Sequence, residues 1–177
     1  MIALDSGYSI RSLSEANVAN FHCAPNLLAF FRNDAADTEA ELIAKTYFLY
    51  HSDEKEPLVG FCISNSAVRA HSDVDMTLPH NVRHNAYPAV LIGKFATHMN
   101  FSGKNFGRRV IEFLKLWFVT QNKTGCRYLI ADSVPDATGF YEKCGFERFP
   151  VQRSPDTVLM FFDLKIYEIA LRKEQRI

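Results

Sequence analysis

Nothing in the bulk charge of this 177-residue sequence draws it to nucleic acid or membrane, because 20 lysines and arginines balance 20 aspartates and glutamates. Any attraction to a polyanion must come from a local patch. No apolar run is long enough to span a bilayer, and the start, MIALDSGYSIRSL, lacks the basic segment and apolar core of a secretory leader; a cytoplasmic protein without membrane contact is expected. Cysteine is scarce and scattered. Cys23, Cys62, Cys126 and Cys144 show none of the close pairing that zinc sites use, so reduced thiols and no metal are expected. His80 and His84 stand four apart, but with Pro79 beside them and no third ligand they read as solvated histidines. Low-complexity tracts are missing too, and with 47% hydrophobic residues the chain has enough apolar material for one domain over residues 1–177.

What is present is an ordered series of strand and helix patterns. Tyr8 to Leu13 alternates as a strand, Ser14 can cap a helix through Ala19, and residues 21–45 carry two apolar groups around a polar break, which suggests two short helices. KTYFLYH and LVGFCIS read as a hairpin across the charged turn SDEKEP. From Ser66 to Ala86 the periodicity dissolves; a loop of that length is commonly functional, and Arg69, Arg83 and His84 are its candidates for contacting a substrate, the alternative being an ordinary polar loop. Tyr87 to Met99 then forms a strand, and a helix from Phe106 puts Phe106, Val110, Phe113, Leu114, Trp117 and Phe118 on one face with Arg108, Arg109, Glu112 and Lys115 opposite. RYLIAD is a second apolar strand, and TVLMFFDLKIYEIAL reads as a long final strand that closes the sheet and offers an apolar edge for a homodimer. The tail RKEQRI reads as a solvated end.

Between the strand ending near Thr97 and the helix from Phe106 lies the turn NFSGKNFG. Ser102, Gly103, Asn105 and Gly107 are small or polar and let backbone approach a ligand closely. A helix start offers unpaired N–H groups, and Lys104, Arg108 and Arg109 add whole charges, a combination that suits a phosphate or pyrophosphate. One strand later, SVPDATGFYEKCGF places Ser133 and Asp136 at capping-box spacing, a short helix to Lys143, and Gly145 where a helix terminus wants a left-handed residue. Strand, turn, helix and strand make a β-α-β unit.

At this point the chain resembles the GNAT family of acetyl-CoA-dependent N-acetyltransferases. The resemblance rests on Ala137 followed by Tyr141, Glu142, Lys143, Cys144, Gly145 and Phe146, and on the turn ahead of the helix, where Gly107 fits the family pattern while Ser102 and Asn105 depart from it; Val134 replaces a frequent cofactor-binding Asn. It implies an α/β (α+β) GNAT fold, with a central mixed, mostly antiparallel twisted sheet of six to seven strands flanked by about four helices. It implies acetyl-CoA as co-substrate, with the pyrophosphate on Ser102, Gly103, Lys104, Asn105, Phe106, Gly107 and Arg108 and the pantetheine arm on the backbone of Phe95, Ala96 and Thr97. Tyr141 becomes the general acid or hydrogen-bond donor to the leaving thiolate, for which a protonated phenol suits.

The acceptor is then a primary amine, such as a small amine or a protein N-terminus. No general base stands out; His22, His71, His84, His98, Asp73 and Asp75 are candidates. Without one, an α-amine, neutral about 14% of the time at pH 7, is a far better nucleophile than a lysine side chain at about 0.04%. The element order is also similar to the GNAT toxins that acetylate aminoacyl-tRNA and pair with ribbon-helix-helix antitoxins. That adds tRNA and such an antitoxin as candidate partners, with Arg108, Arg109, Lys115, Lys123, Arg127 and Arg148 as a candidate basic patch. A catalytically weak acyl-CoA-binding module is a third expectation, from the departures at Ser102, Asn105 and Val134.

Overall fold

The computed structural model describes residues 7–69, 84–121, 124–150, 152 and 154–174. Seven strands, β1 (Tyr8–Ser12), β2 (Lys45–His51), β3 (Val59–Arg69), β4 (Ala86–Thr97), β5 (Tyr128–Ser133), β6 (Glu147–Arg148) and β7 (Val158–Asp163), hydrogen-bond in the order β1-β2-β3-β4-β5-β7-β6. Pairs β1–β2, β2–β3, β5–β7 and β6–β7 are antiparallel and β4–β5 is parallel, so the sheet is mixed and mostly antiparallel, as expected. The α-helical segments are α1 (Pro25–Ala29), α2 (Ala35–Ala40), α3 (Phe106–Thr120), α4 (Thr138–Lys143) and α5 (Leu164–Glu174). The chain forms two compact units, Met1–Ser64 with Ile92–Leu116 and Asn65–Leu91 with Trp117–Ile177.

In the first unit β1 and β2 pair from Tyr8↔His51 to Ser12↔Tyr47, and β2 meets β3 from Lys45↔Ile63 to Leu49↔Val59, the expected hairpin. Phe21, Cys23, Phe31, Phe48, Tyr50 and Ala96 form an apolar cluster with Phe21 edge-on to Phe31 and Phe48. Gly60 is dictated by that packing, since a Cβ there would stand 2.9 Å from a Phe48 ring carbon. Two local expectations are corrected. Ser12, three residues before Glu15, takes the capping position expected of Ser14: the Glu15 carboxylate accepts from the Ser12 N–H at 2.9 Å, and two 3-10 turns, Leu13–Glu15 and Val18–Asn20, replace a helix. The two short helices run together instead of breaking. A π-helical turn, Phe30–Asp34, links α1 to α2, buries Phe31 and delivers Ala35 to the interior while Arg32, Asn33 and Asp34 face solvent.

In the second unit, β4 and β5 pair from Ala89↔Tyr128 to Leu91↔Ile130, and β5 pairs β7 from Tyr128↔Asp163 to Ser133↔Val158. Val68, Tyr87, Ala89, Tyr128, Ile130, Phe149 and Leu159 form its core. The expected long last strand stops at Asp163. The Asp163 carboxylate accepts from the Lys165 N–H at 2.8 Å and from Arg127 at 2.6 Å, and a side chain holding the first N–H groups of a following turn starts a helix. The remainder of that segment, with Arg172 to Glu174 of the expected tail, is α5. β7 lies between β5 and β6, so it does not close the sheet as an apolar edge. β3 runs to Arg69 and β4 begins at Ala86, which shortens the expected loop from both sides; its residues 70–83 lie outside the described residues.

Candidate functional site

The turn that leads into α3 belongs to the first unit and is built from the end of β4 outward. Phe95, Ala96 and Thr97 are its last strand residues, with Ala96 buried and Phe95 and Thr97 half-buried. A 3-10 turn, Met99–Phe101, follows, and then four exposed residues, Ser102, Gly103, Lys104 and Asn105. Gly103 has φ +77°, and a Cβ on it would meet nothing within 4 Å, so its glycine answers to backbone conformation and leaves open space above it. Asn105 has φ +62°, the left-handed conformation that asparagine adopts more readily than other side-chain-bearing residues. Its carbonyl accepts from the Arg109 N–H at 3.1 Å, which makes Asn105 the residue on which α3 starts. The N–H groups of Phe106, Gly107 and Arg108 therefore open the helix without intrahelical acceptors.

Around this helix start the charge is positive. Arg108 is exposed, the Lys104 ammonium lies 5.3 Å over the Phe101 ring, and the Arg109 guanidinium lies 4.3 Å over the Tyr8 ring. Phe106 tilts against Tyr8 and packs edge-on to Phe101, fixing the first turn of α3. Free N–H groups, a helix dipole and two exposed cations at one place are chemically suited to a bound phosphate group.

Tyr141 belongs to the second unit. It sits on α4, only 7% exposed, with its ring against Phe140 at 5.1 Å and Phe146 at 5.4 Å between centroids. The helix ends as expected at Gly145, φ +81°, with the Gly145 N–H donating to Glu142 and the Phe146 N–H to Tyr141 itself at 3.0 Å. The capping box expected at Ser133 and Asp136 is absent. Ser133 Oγ instead donates to the Val134 carbonyl, a 3-10 turn (Pro135–Ala137) intervenes, and Thr138 Oγ1 donates back to Pro135. Burial pushes the Tyr141 phenol well above its ordinary value, with a smaller push from Cys144. Among the described residues its hydroxyl makes no hydrogen bond, so a neutral donor stands uncommitted.

The remaining candidates separate. Arg69 and His84 are exposed in the second unit, the His84 ring edge-on to Tyr87, and Arg83 lies outside the described residues. Of the candidate bases, His22 is exposed and His98 is fully buried with Nδ1 accepting from the Asn100 N–H, while His71, Asp73 and Asp75 lie outside the described residues. The candidate basic patch is corrected. Lys115 is 4% exposed and bonded to Glu112 at 2.9 Å, because the buried stripe of α3 is Gly107, Val110, Ile111, Leu114 and Lys115, rotated from the expected one. Arg127 is held by Asp163 and Arg148 by Glu142, and Lys123 lies outside the described residues. All four cysteines are free thiols, and no group of three potential metal ligands occurs among the described residues. No helix among them is long and apolar enough to cross a membrane.

Comparison with known proteins places the chain in a family. The model of the acetyltransferase (GNAT) family matches residues 13–146. Glucosamine 6-phosphate N-acetyltransferase 1 of Dictyostelium discoideum is 46% identical over 55 residues, 31% of this chain; the match spans about 33% of that relative's length. Among solved structures, AtaT complexed with acetyl-methionyl-tRNAfMet superposes with a TM-score of 0.74 at 17% identity, covering 93% of this chain and 99% of that one. An AtaT mutant toxin bound to the C-terminus of the antitoxin AtaR and acetyl-CoA gives a TM-score of 0.71 at 17% identity, over 94% and 99% of the two chains. At such identities the likeness is one of fold.

Proposed function

Because the chain belongs to the acetyltransferase (GNAT) family, we propose that it is an N-acetyltransferase that moves an acetyl group from acetyl-CoA to a primary amine by direct attack. The observation that carries the reading is the start of α3: left-handed Gly103 and Asn105, open N–H groups at Phe106 to Arg108, and the exposed cations Lys104 and Arg108. Those groups fit a pyrophosphate, and the space above Gly103 leaves room for close approach. Ser102 adds a hydroxyl donor at the same turn. Beyond its parallel register with β5, which ends at Leu91, β4 continues to Thr97, and the backbone of Phe95, Ala96 and Thr97 is the candidate partner for the pantetheine amides. The cofactor supplies an activated acetyl thioester.

Tyr141 donates a hydrogen bond to the sulfur as negative charge develops there. A free phenol at about 10 already exceeds a thiol at about 8.5, which makes complete proton transfer uphill by roughly 2 kcal/mol, and burial raises the phenol further. Tyr141 therefore acts as a donor that strengthens in the transition state and keeps its proton. Arg69, Arg83 and His84 are proposed acceptor contacts. The reading takes residues 1–177 as a single acetyltransferase domain that works in the cytoplasm without a metal. The deciding assay is acetyl-CoA turnover on a panel of amines: release of free thiol dependent on an amine supports the reading, and tight acetyl-CoA binding without transfer to any amine would replace it with a binding module.

A narrower second reading is favoured by the state of His98. Among the described candidate bases, His98 is the fully buried one, and its Nδ1 lone pair is already taken by the Asn100 N–H, so an acceptor that arrives neutral and needs no proton removed there suits this site. An α-amine, such as that of an aminoacyl-tRNA, meets the requirement. This reading makes the protein a toxin acetylating aminoacyl-tRNA, with a ribbon-helix-helix antitoxin as partner. Expression should then arrest growth and purified protein should acetylate charged tRNA; harmless expression with no product on tRNA would discard it.

A further inference from the structure

His98, where β4 gives way to the cofactor turn, is 0% exposed. Its Nδ1 accepts from the Asn100 N–H at 3.2 Å, which fixes the tautomer: the lone pair is on Nδ1 and the proton on Nε2. Nε2 faces the Glu56 carboxylate at 3.5 Å without a hydrogen bond to it, and the ring packs against Phe21, His22 and Phe101. The backbone here is tied on three sides. His98 N–H donates to Leu58 at 2.9 Å, Met99 N–H to His22 at 2.8 Å, and Phe101 N–H to the His98 carbonyl at 2.9 Å. Past Phe101 the ties slacken: Ser102 reaches Met99 at 3.3 Å and Lys104 reaches Phe101 at 3.4 Å, and Gly103 and Asn105 follow with left-handed backbones. The path into α3 is therefore set upstream, at the turn that the imidazole caps.

We propose that His98 is a positioning residue for the turn Ser102 to Gly107: by capping the Met99–Phe101 turn through Nδ1 it holds the free N–H groups of α3 on the pyrophosphate, which it does not itself touch. An imidazole does here what an asparagine, aspartate or serine side chain commonly does at a helix start, accepting one orphan N–H close to its own backbone. Its greater size fills the space among three aromatic neighbours, so His98 both caps and packs. The inference rests on the acetyl-CoA reading of the α3 start and adds the residue that shapes it.

The test separates capping from packing with two substitutions in the full chain. His98→Leu keeps apolar volume and removes the acceptor; His98→Asn keeps an acceptor near the Nδ1 position and loses the ring. Calorimetry with acetyl-CoA should show affinity reduced about tenfold in His98→Leu and restored to within about twofold of wild type in His98→Asn, the size expected of one lost cap. Amide hydrogen exchange in the absence of cofactor should accelerate at Asn100 to Lys104 in His98→Leu and stay near wild type in His98→Asn. Wild-type affinity in His98→Leu, or equal weakness in both variants, overturns the inference. A wild-type protein that does not bind acetyl-CoA sinks the acetyl-CoA reading and with it this role, whereas exchange rates report on the cap independently.

Discussion

Replacing Tyr141 by phenylalanine tests the proposed chemistry with little disturbance of the fold. The ring is 7% exposed and packed on Phe140 and Phe146, and its hydroxyl holds no hydrogen bond among the described residues, so removing one oxygen keeps the packing and strands no partner. What is lost is a bond to a developing thiolate. Hydrogen bonds to charged groups contribute about 1.5–3 kcal/mol, which lowers kcat by roughly 10- to 150-fold. Acetyl-CoA affinity should change by less than about twofold, because the bond forms only as charge builds on sulfur. Stopped-time thiol release gives kcat, calorimetry gives the affinity, and thermal melting confirms an intact fold. Because burial raises the phenol, wild-type activity should show no loss from Tyr141 ionisation up to pH 10. The same shift makes a neutral Tyr141 stabilising below pH 10, and that stability falls as pH rises beyond it, a decline that Tyr141→Phe should lessen. A variant with wild-type kcat would remove Tyr141 from the mechanism.

Four further outcomes follow from single features. Gly145→Ala forces a Cβ into φ +81° at the end of α4 and should cost about 1–2 kcal/mol in urea unfolding; no loss would mean the turn rearranges freely. Asn105→Gly should keep acetyl-CoA affinity while Asn105→Val, β-branched at φ +62°, should weaken it about tenfold or more, and equal affinities would show that this backbone does not matter for binding. Asp163→Ala leaves the Arg127 guanidinium, whose side chain is 17% exposed, without its carboxylate and should destabilise by about 3 kcal/mol; less than about 1 kcal/mol would mean water replaces the pair. Cys126, its thiol pushed up to about 11 by burial, should resist iodoacetamide at pH 8 and react about tenfold faster per pH unit above that, read site by site by mass spectrometry; fast labelling at pH 8 would contradict the burial.

The legible parts of the fold were those where periodicity and punctuation agreed. The β2–β3 hairpin, β4, α3 and β5 stand where alternation, the 3.6-residue stripe and the Gly-containing turn put them, and Gly145 ends α4 as its position suggested. Each misreading has a specific physical cause. FFDLKIYEIAL is apolar enough for either state, and Asp163, serving Arg127 and the Lys165 N–H at once, tips it into helix; that choice depends on a residue 36 positions away. The π-helical turn at Phe30 hides in a polar run because one inserted residue shifts the buried face without changing composition. Lys115 read as solvent-facing because a stripe drawn through aromatic residues is rotated from the one that Ile111 and Leu114 bury, and burying a lysine next to Glu112 is visible only in three dimensions.

The turn at Ser102 to Gly107 shows how a departure in sequence need not be a departure in backbone. A pattern written in glycines records a requirement for left-handed φ and for open N–H groups, and asparagine at φ +62° meets the first while leaving the second untouched. Relative to glycine, Asn105 keeps a side chain beside the N–H groups that would face an anion, and Ser102 carries a hydroxyl where the pattern has a longer side chain. On the acetyl-CoA reading, Lys104 and Arg108 then supply the charge at this turn, while the fit of its N–H groups depends on how firmly the backbone is aimed. With short side chains at Ser102 and Asn105 that geometry has to be supplied from behind, and the buried imidazole of His98, bonded to the Asn100 N–H, is placed to supply it.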